Sequence, residues 1–355
     1  MLGLTGRRPA IAIIVLALAV AAGVVTETGQ PAILRFVVTG LALAGLAWMV
    51  SAGTELLGGH FGPGATGVLQ STLGNLPELF VVVFALRAGE VLVAEAAIVG
   101  SLLSNALLVM GLVLIAGARV SRTGRMQFHA RLPNDTSTLF LIAVFTISLL
   151  SVSLSEHDRA SHHALTISAV GAVAMLAVYL AWLRHYLRTD PTAAAAAAAE
   201  PAPAAPLTAA VVLLVVAGVG SAFVSDWFVS ALAPAVHQLG ISRVFAGFVI
   251  VALAGNAVEN TAGIVLAAKG KSDLAVSVVL NSVAQIAAFL YPALVLISLG
   301  LSTHLTFGLP VILIVSLVLT AIAVWQVIGD GEAYVYEGLA LVALYVVLAA
   351  VTFYE

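Results

Sequence analysis

The chain contains no cysteine. Disulfides, thiolate metal sites and iron–sulfur clusters are therefore excluded. Charge is the next scarcity: only 9% of residues are Asp, Glu, Lys or Arg, against about 25% in soluble globular chains. So little charge cannot cover a water-exposed surface, which argues against a soluble enzyme or a nucleic-acid-binding protein. Aromatic residues are modest at 7%. What the chain has instead is apolar length: 62% of its 355 residues are hydrophobic, and mean hydropathy is +1.14. The fold class expected is an all-α, polytopic membrane protein. The net charge of −3 says little here, because the placement of Lys and Arg sets topology.

A membrane span needs roughly 20 apolar residues. The sequence supplies about eleven, near 10–27, 34–58, 62–88, 90–117, 136–154, 161–187, 207–238, 242–268, 272–299, 304–328 and 333–352. Arg7-Arg8 followed by Ala10–Gly23 also has the shape of a signal peptide, with small residues at Ala21-Ala22-Gly23; it is read here as a first helix. Gly59–Phe61, Ala88-Gly89 and Gly270-Lys271 leave room only for tight turns. From Arg188 to Pro206 the chain is rich in alanine and proline, which predicts a semi-rigid linker. With eleven spans, Arg7, Arg8, Arg119, Arg122, Arg125, Arg131, Arg184, Arg188, Lys269 and Lys271 fall on the N-terminal side. Only Arg35, Arg87, Arg159 and Arg243 fall on the other. The positive-inside rule then puts the N-terminus in the cytoplasm and the C-terminus outside, in what is expected to be the cytoplasmic membrane.

Sliding the chain against itself by 181 residues aligns Gly74-Asn75-Leu76-Pro77-Glu78 with Gly255-Asn256-Ala257-Val258-Glu259. The same offset aligns Gly59 with Gly240, Gly89 with Gly270, Ser101 with Ser282 and Ala106 with Ala287. The repeat unit is five spans, an odd number, so the two copies cross the membrane in opposite directions. Inverted repeats of this kind are typical of secondary transporters, with the site near mid-membrane between the halves. The expected division is an extra N-terminal helix over 1–30, a first five-helix repeat over 31–188, a linker over 189–206 and a second five-helix repeat over 207–355.

Each copy carries a carboxylate where a membrane helix ordinarily has none, and such a residue is a functional-site hypothesis by default. Glu78 and Glu259 both fall deep within their spans, and inverted symmetry brings them to one depth. Two carboxylates in a dry site repel unless protons or a divalent cation sit between them. Carboxylate, amide and carbonyl oxygens are the donors a hard cation such as Ca²⁺ prefers. Gly74, Gly255 and Pro77 loosen the helices and free backbone carbonyls toward a cavity; Asn75 and Asn256 add side-chain oxygens or hold the bend. In the following helix of each half, Ser101 shares a face with Ser104 and Asn105, and Asn281 or Ser282 with Gln285. These groups complete a coordination shell or a proton path, or else join helices by hydrogen bonds. A lone intramembrane Glu can also be a protonated interhelical partner. Glu55 and Glu95 lie near predicted helix ends; each reads as a pathway residue or, more simply, as a carboxylate solvated at a helix end. Asp226 has no counterpart in the repeat and reads as a vestibule group or as a locally satisfied acid. His162-His163 reads as surface.

Gly74-Asn75-x-Pro77-Glu78 with Gly100-Ser101-x-x-x-Asn105, repeated as Gly255-Asn256-x-x-Glu259 with Ser282-x-x-Gln285, resembles the paired alpha repeats of the cation/Ca²⁺ exchanger superfamily. The Gly-Asn-x-x-Glu form is similar to its calcium/proton exchanger branch, the vacuolar-type Ca²⁺/H⁺ antiporters, rather than to the Gly-Thr-Ser-x-Pro-Glu form of the sodium/calcium branch. The resemblance implies that Glu78 and Glu259 are the cation-binding acids and that Asn75, Asn256, Ser101, Asn105, Ser282 and Gln285 occupy polar site positions. The chain departs from the pattern in two places. Asn260 stands where the family often has His, and the linker is not acidic. The expected function is exchange of Ca²⁺, and of other divalent cations where the site admits them, for H⁺. Ca²⁺ and H⁺ are then substrates, no cofactor is needed, and the chain is not an enzyme. Sodium/calcium exchange on the same scaffold is the alternative, and a channel or a non-transporting membrane protein the more distant ones.

Overall fold

The computed structural model describes residues 8–129, 131–156, 159–189 and 206–355; within these, 58–59, 61–72, 131–135, 155, 186–189 and 258–259 are described by backbone alone. The linker expected over 189–206 therefore lies almost wholly outside the described residues. The chain folds as α1 (Arg8–Glu27), α2 (Ala32–Leu73), α3 (Leu76–Arg87), α4 (Val91–Val120), α5 (Arg131–Glu156) and α6 (Ala164–Thr189). It continues as α7 (Leu207–Leu239), α8 (Arg243–Gly255), α9 (Ala257–Ala268), α10 (Ser272–Ser298), α11 (Val311–Ile328) and α12 (Val335–Tyr354). Two three-residue strands, β1 (Arg125–Gln127) and β2 (Glu332–Tyr334), pair antiparallel with Arg125 opposite Tyr334.

Among the described residues, nine helical segments are long and apolar enough to cross a membrane. A tenth arises if Arg243–Gly255 and Asn260–Ala268, bent by 60°, count as one. The sequence led to about eleven; the third of these, 62–88, runs over residues described by backbone alone and is not among the segments counted. The turn expected at Gly59–Phe61 is absent. Helical backbone continues to Leu73, a stretch of 42 residues. Gly58, Gly59, Gly62, Pro63 and Gly64 read as chain breakers, yet isolated breakers are tolerated in apolar helices, where an open backbone hydrogen bond costs more than a strained closed one. The break comes at Gly74-Asn75 instead, and α3 has only 12 residues.

Backbone geometry repeats at the sequence offset. α3 and α9 both have 12 residues and start 181 positions apart. Asn75 (φ −91°, ψ 11°) and Asn256 (φ −105°, ψ 12°) occupy the same non-helical corner before them. Gly89 (φ +78°) and Gly270 (φ +72°) turn the chain into α4 and α10 with left-handed backbone that a side chain would strain. Glu90 and Lys271 follow with matching angles. α4 and α10 each widen into a π-helical turn, at Ser104–Val109 and Ile286–Leu290.

α4 and α10 form the core. In α4, 89% of the most apolar window is buried and in α10 72%, against 22% for α1, α6 and α12. The outer helices turn large apolar side chains outward, among them Ile13, Phe145, Val170 and Val347, as a lipid-facing surface requires. α4 crosses α8 at backbone contact: a β-carbon added at Gly100 would lie 2.2 Å from the Phe248 carbonyl oxygen, and one at Gly247 2.7 Å from the Val93 oxygen. α2 and α7 pack along each other, with Gly53 against Leu214, Gly220 against Leu46 and Gly40 against Phe228.

Cross-contacts sort the connections onto two faces. On one, Arg243 pairs with Glu90 at 3.1 Å, and Ser242 Oγ donates to the Thr352 carbonyl. On the other lie the β1–β2 pair, the Arg125–Glu332 ion pair at 2.8 Å and the contact of His129 with Asp273. These are called the Gly89 face and the Arg125 face below. Each contact joins connections that alternate spans place on the same side.

Candidate site between the repeats

The two Gly-Asn corners meet at the centre of the fold. A β-carbon added at Gly255 would lie 3.7 Å from the Glu78 β-carbon, so the bend of the second half abuts the acid of the first. Glu78 stands in the first turn of α3 and is 3% exposed. Asn75 is buried one turn earlier, and its backbone carbonyl accepts from Leu79 N at 2.9 Å. Asn256 repeats that bond with Asn260 N at 3.0 Å. The α9 backbone places Glu259 in the first turn, at the position Glu78 has in α3; its side chain lies outside the described residues.

Polar side chains of the core helices knit the corners together. Asn256 Nδ2 donates to Ser101 Oγ at 2.9 Å and to the Ala252 carbonyl at 3.1 Å. Asn105 Nδ2 donates to Ser282 Oγ at 3.2 Å and to the Ser101 carbonyl at 3.1 Å. Both cross-bonds join one half of the chain to the other. Both amides bond through nitrogen, which leaves their oxygens to accept from a proton donor or ligate a cation. Among the described residues Asn105 Oδ1 is buried with no hydrogen-bond partner, as is Asn75 Nδ2. Ser104 Oγ donates within α4 to the Ser101 carbonyl at 3.2 Å.

The structure thus brings Glu78, Gly255, Asn256, Ser101, Asn105 and Ser282 into one buried network. Gly74 and Asn75 sit at its margin, in the break itself. Gln285 is half-buried and ends the regular part of α10 just before the π turn; among the described residues no hydrogen bond ties it to the others. The reading of Ser101 and Ser282 as helix-joining groups holds at the same time as their place in the site, because each accepts its bond across the repeat interface.

The helices that build the site hold no fixed positive charge along their spans. No Lys or Arg occurs between Arg35 and Arg87, between Glu90 and Arg119, between Leu207 and Arg243, between Arg243 and Lys269, or between Lys271 and Ser298.

Two features were not legible. The π turns begin at Ser104 and directly after Gln285, beside the polar residues of each core helix. Such turns cluster at functional sites, but neither hydropathy nor spacing marks them. The second is Glu95. A solvated helix end was the simpler of its two expected readings, a pathway residue the other; it is 8% exposed, and α8 packs against α4. Glu55 is exposed and pairs with Arg8 at 3.2 Å. Asp226 is exposed on α7, and His162 and His163 are exposed in a short 3₁₀ turn.

Comparison with known proteins gives a consistent picture. A model of the sodium/calcium exchanger protein family matches residues 31–187 and 209–354. The Ca(2+)/H(+) antiporter ChaA of Bacillus subtilis is 32% identical over 329 residues, 90% of this chain and 92% of that protein. The vacuolar calcium ion transporter of Schizosaccharomyces pombe is 32% identical over 331 residues, 90% of this chain and 79% of that protein. The solved structure of native YfkE superposes with a TM-score of 0.82 at 27% identity, covering 97% of this chain and 100% of YfkE.

Proposed function

Since the chain belongs to the sodium/calcium exchanger protein family, we infer that it is a secondary active antiporter that exchanges Ca²⁺ for H⁺. Relatives named as Ca²⁺/H⁺ antiporters and cation/proton exchangers cover nine-tenths of it. The observation that carries the reading is the abutment of Gly255 on Glu78 within a network bonded reciprocally across the repeats. A site made jointly by the two halves faces each side in turn when other helices move across it, which is what alternating access demands.

In this reading Glu78 and Glu259 hold either Ca²⁺ or protons. Asn75, Asn256, Ser101, Asn105, Ser282, Gln285 and carbonyls freed at Gly74 and Gly255 supply neutral oxygens or orient those that do. With both acids ionised, the site carries two negative charges and no fixed cation, and Ca²⁺ neutralises it. Protonation at the other face removes that charge and releases the ion. The core is α3, α4, α8, α9 and α10, and α2 with α7, which pack on each other at Gly40, Gly53 and Gly220, is the pair that moves across it. The helix over 1–30 stands outside the two repeats, 31–188 and 207–355, which the segment 189–206 joins. The Arg125 face is cytoplasmic, and an inward proton gradient then drives Ca²⁺ export across the cytoplasmic membrane.

Sodium/calcium exchange is disfavoured by Asn75 and Asn256, which stand where that branch has Thr-Ser. Proteoliposomes with an acidic lumen and external Ca²⁺ test the choice. Ca²⁺ uptake coupled to proton efflux without sodium is expected. A requirement for a sodium gradient would overturn the proton assignment, and uncoupled Ca²⁺ conduction would indicate a channel.

A further inference from the structure

One buried acid is unused by this mechanism. Glu95 lies in the second turn of α4 and is 8% exposed. Among the described residues it has no ion-pair partner. A carboxylate inside a membrane protein is costly to keep without a role, and no repeat-related acid stands at Val276 to make it part of the scaffold.

Its depth is informative. Glu78 and Gly100 are each eleven residues from the Gly89 turn, so they share a level in the α3–α4 hairpin. Glu95 is five residues nearer that turn than Gly100, hence about 8 Å closer to the Gly89 face. On α10, Tyr291 is nine residues beyond Ser282, whose hydroxyl meets Asn105. That puts Tyr291 about 14 Å from the Asn105–Ser282 bond, and Glu95, ten residues back from Asn105, about 15 Å from it on the same side. The two reach the same level, and Tyr291 lies within electrostatic range of Glu95. The Tyr291 hydroxyl donates to the Thr306 carbonyl at 2.8 Å. Thr306 belongs to the non-helical segment 299–310, held against α5 and α6 by Ser151 and Ser168.

Glu95 thus lies between the central site and the Gly89 face, beneath a pinned segment. The elements packed against its stretch of α4 offer few other charges. α3 contributes Glu78 and the exposed Arg87, α8 contributes Arg243 bound to Glu90, and α10 contributes Tyr291; α11 has no titratable residue. Nothing there neutralises a carboxylate except a proton or a passing cation.

We propose that Glu95 is a proton-carrying carboxylate on the half of the pathway that opens to the Gly89 face. It takes a proton from water at that face and yields it, through water, to the Glu78 and Glu259 carboxylates as Ca²⁺ leaves, returning to its anionic form. The proposal rests on the exchange reading above.

Glu95→Gln tests it in the full-length protein, since the amide copies the neutral acid in shape. In proteoliposomes the variant is expected to exchange Ca²⁺ roughly tenfold or more slowly. The rate should lose its dependence on pH at the Gly89 face while KM for Ca²⁺ and the dependence on pH at the opposite face stay as in the parent. Infrared difference spectra between acidic and alkaline pH should show a buried-carboxyl band in the parent that is missing from Glu95→Gln. An unchanged rate and pH profile overturns the proposal. So does a slower rate with both profiles intact, which marks a structural role. If the parent itself shows no proton coupling, the exchange reading fails separately; the infrared band then decides alone whether Glu95 titrates, and its absence overturns the proposal.

Discussion

At the scale of single residues, the governing fact is that the helices around Glu78 and Glu259 supply acids, amides and hydroxyls but no Lys or Arg along their spans. On the proposed mechanism, protons and Ca²⁺ compete for the same oxygens. Lowering pH on the binding side should raise the apparent KM for Ca²⁺ and leave the limiting rate less affected, measurable as initial ⁴⁵Ca²⁺ flux. The amide–hydroxyl bonds are a second test. Asn256→Ala removes the donor to Ser101 Oγ and should cost about 1 kcal/mol of stability, seen as a lower melting temperature in detergent. Combined with Ser101→Ala it should cost less than the two single changes summed, because they share that bond. Glu78 and Asn256 could be picked out from sequence because an acid or amide inside an apolar run is conspicuous and the repeat shows it twice. The burial of Glu95 was not legible for the opposite reason. Its distance from the Gly89 turn looks like solvation, and its burial comes with the packing of α8 against α4, which no local pattern reports.

At the scale of elements, the tightest constraint is the crossing of α4 and α8. Gly100→Ala would drive a β-carbon into the Phe248 backbone, which cannot rotate away. The expected loss is about 1–3 kcal/mol, with transport impaired beyond the stability change because the helix that carries Ser101 is displaced. Gly218→Ala is the control: its nearest neighbour would be the Leu76 side chain at 3.9 Å, so melting temperature and flux should stay close to the parent's. α3, α4, α9 and α10 were readable from the Gly-Asn corners and from the Gly89 and Gly270 turns, where the chain must reverse within two or three residues. The continuation of α2 past Leu57 was not, since Gly59–Phe61 reads as a tight turn between two spans. The π turns left no trace, because one extra residue per turn barely alters a pattern in which almost every position is apolar.

At the scale of the whole molecule, a five-span repeat implies that the halves run in opposite directions, and that expectation sets the sides on which the loops lie. The β1–β2 pairing was not legible: two three-residue strands, 207 residues apart in the chain (125 against 332), form only after the bundle has brought their loops together. The absence of native cysteine makes sidedness easy to measure. In right-side-out cells a membrane-impermeant maleimide should label Gln30→Cys, and Arg122→Cys only after the membrane is opened; the reverse pattern would invert the assigned export direction. The account as a whole stands on Glu78 as one half of an exchanging pair. Its most direct test is Ca²⁺ uptake into sodium-free proteoliposomes with an acidic lumen, comparing the parent with Glu78→Gln at equal, folded protein content. The account predicts uptake with matching proton efflux in the parent, and a loss of both in the variant. Undiminished coupled uptake by Glu78→Gln would contradict it.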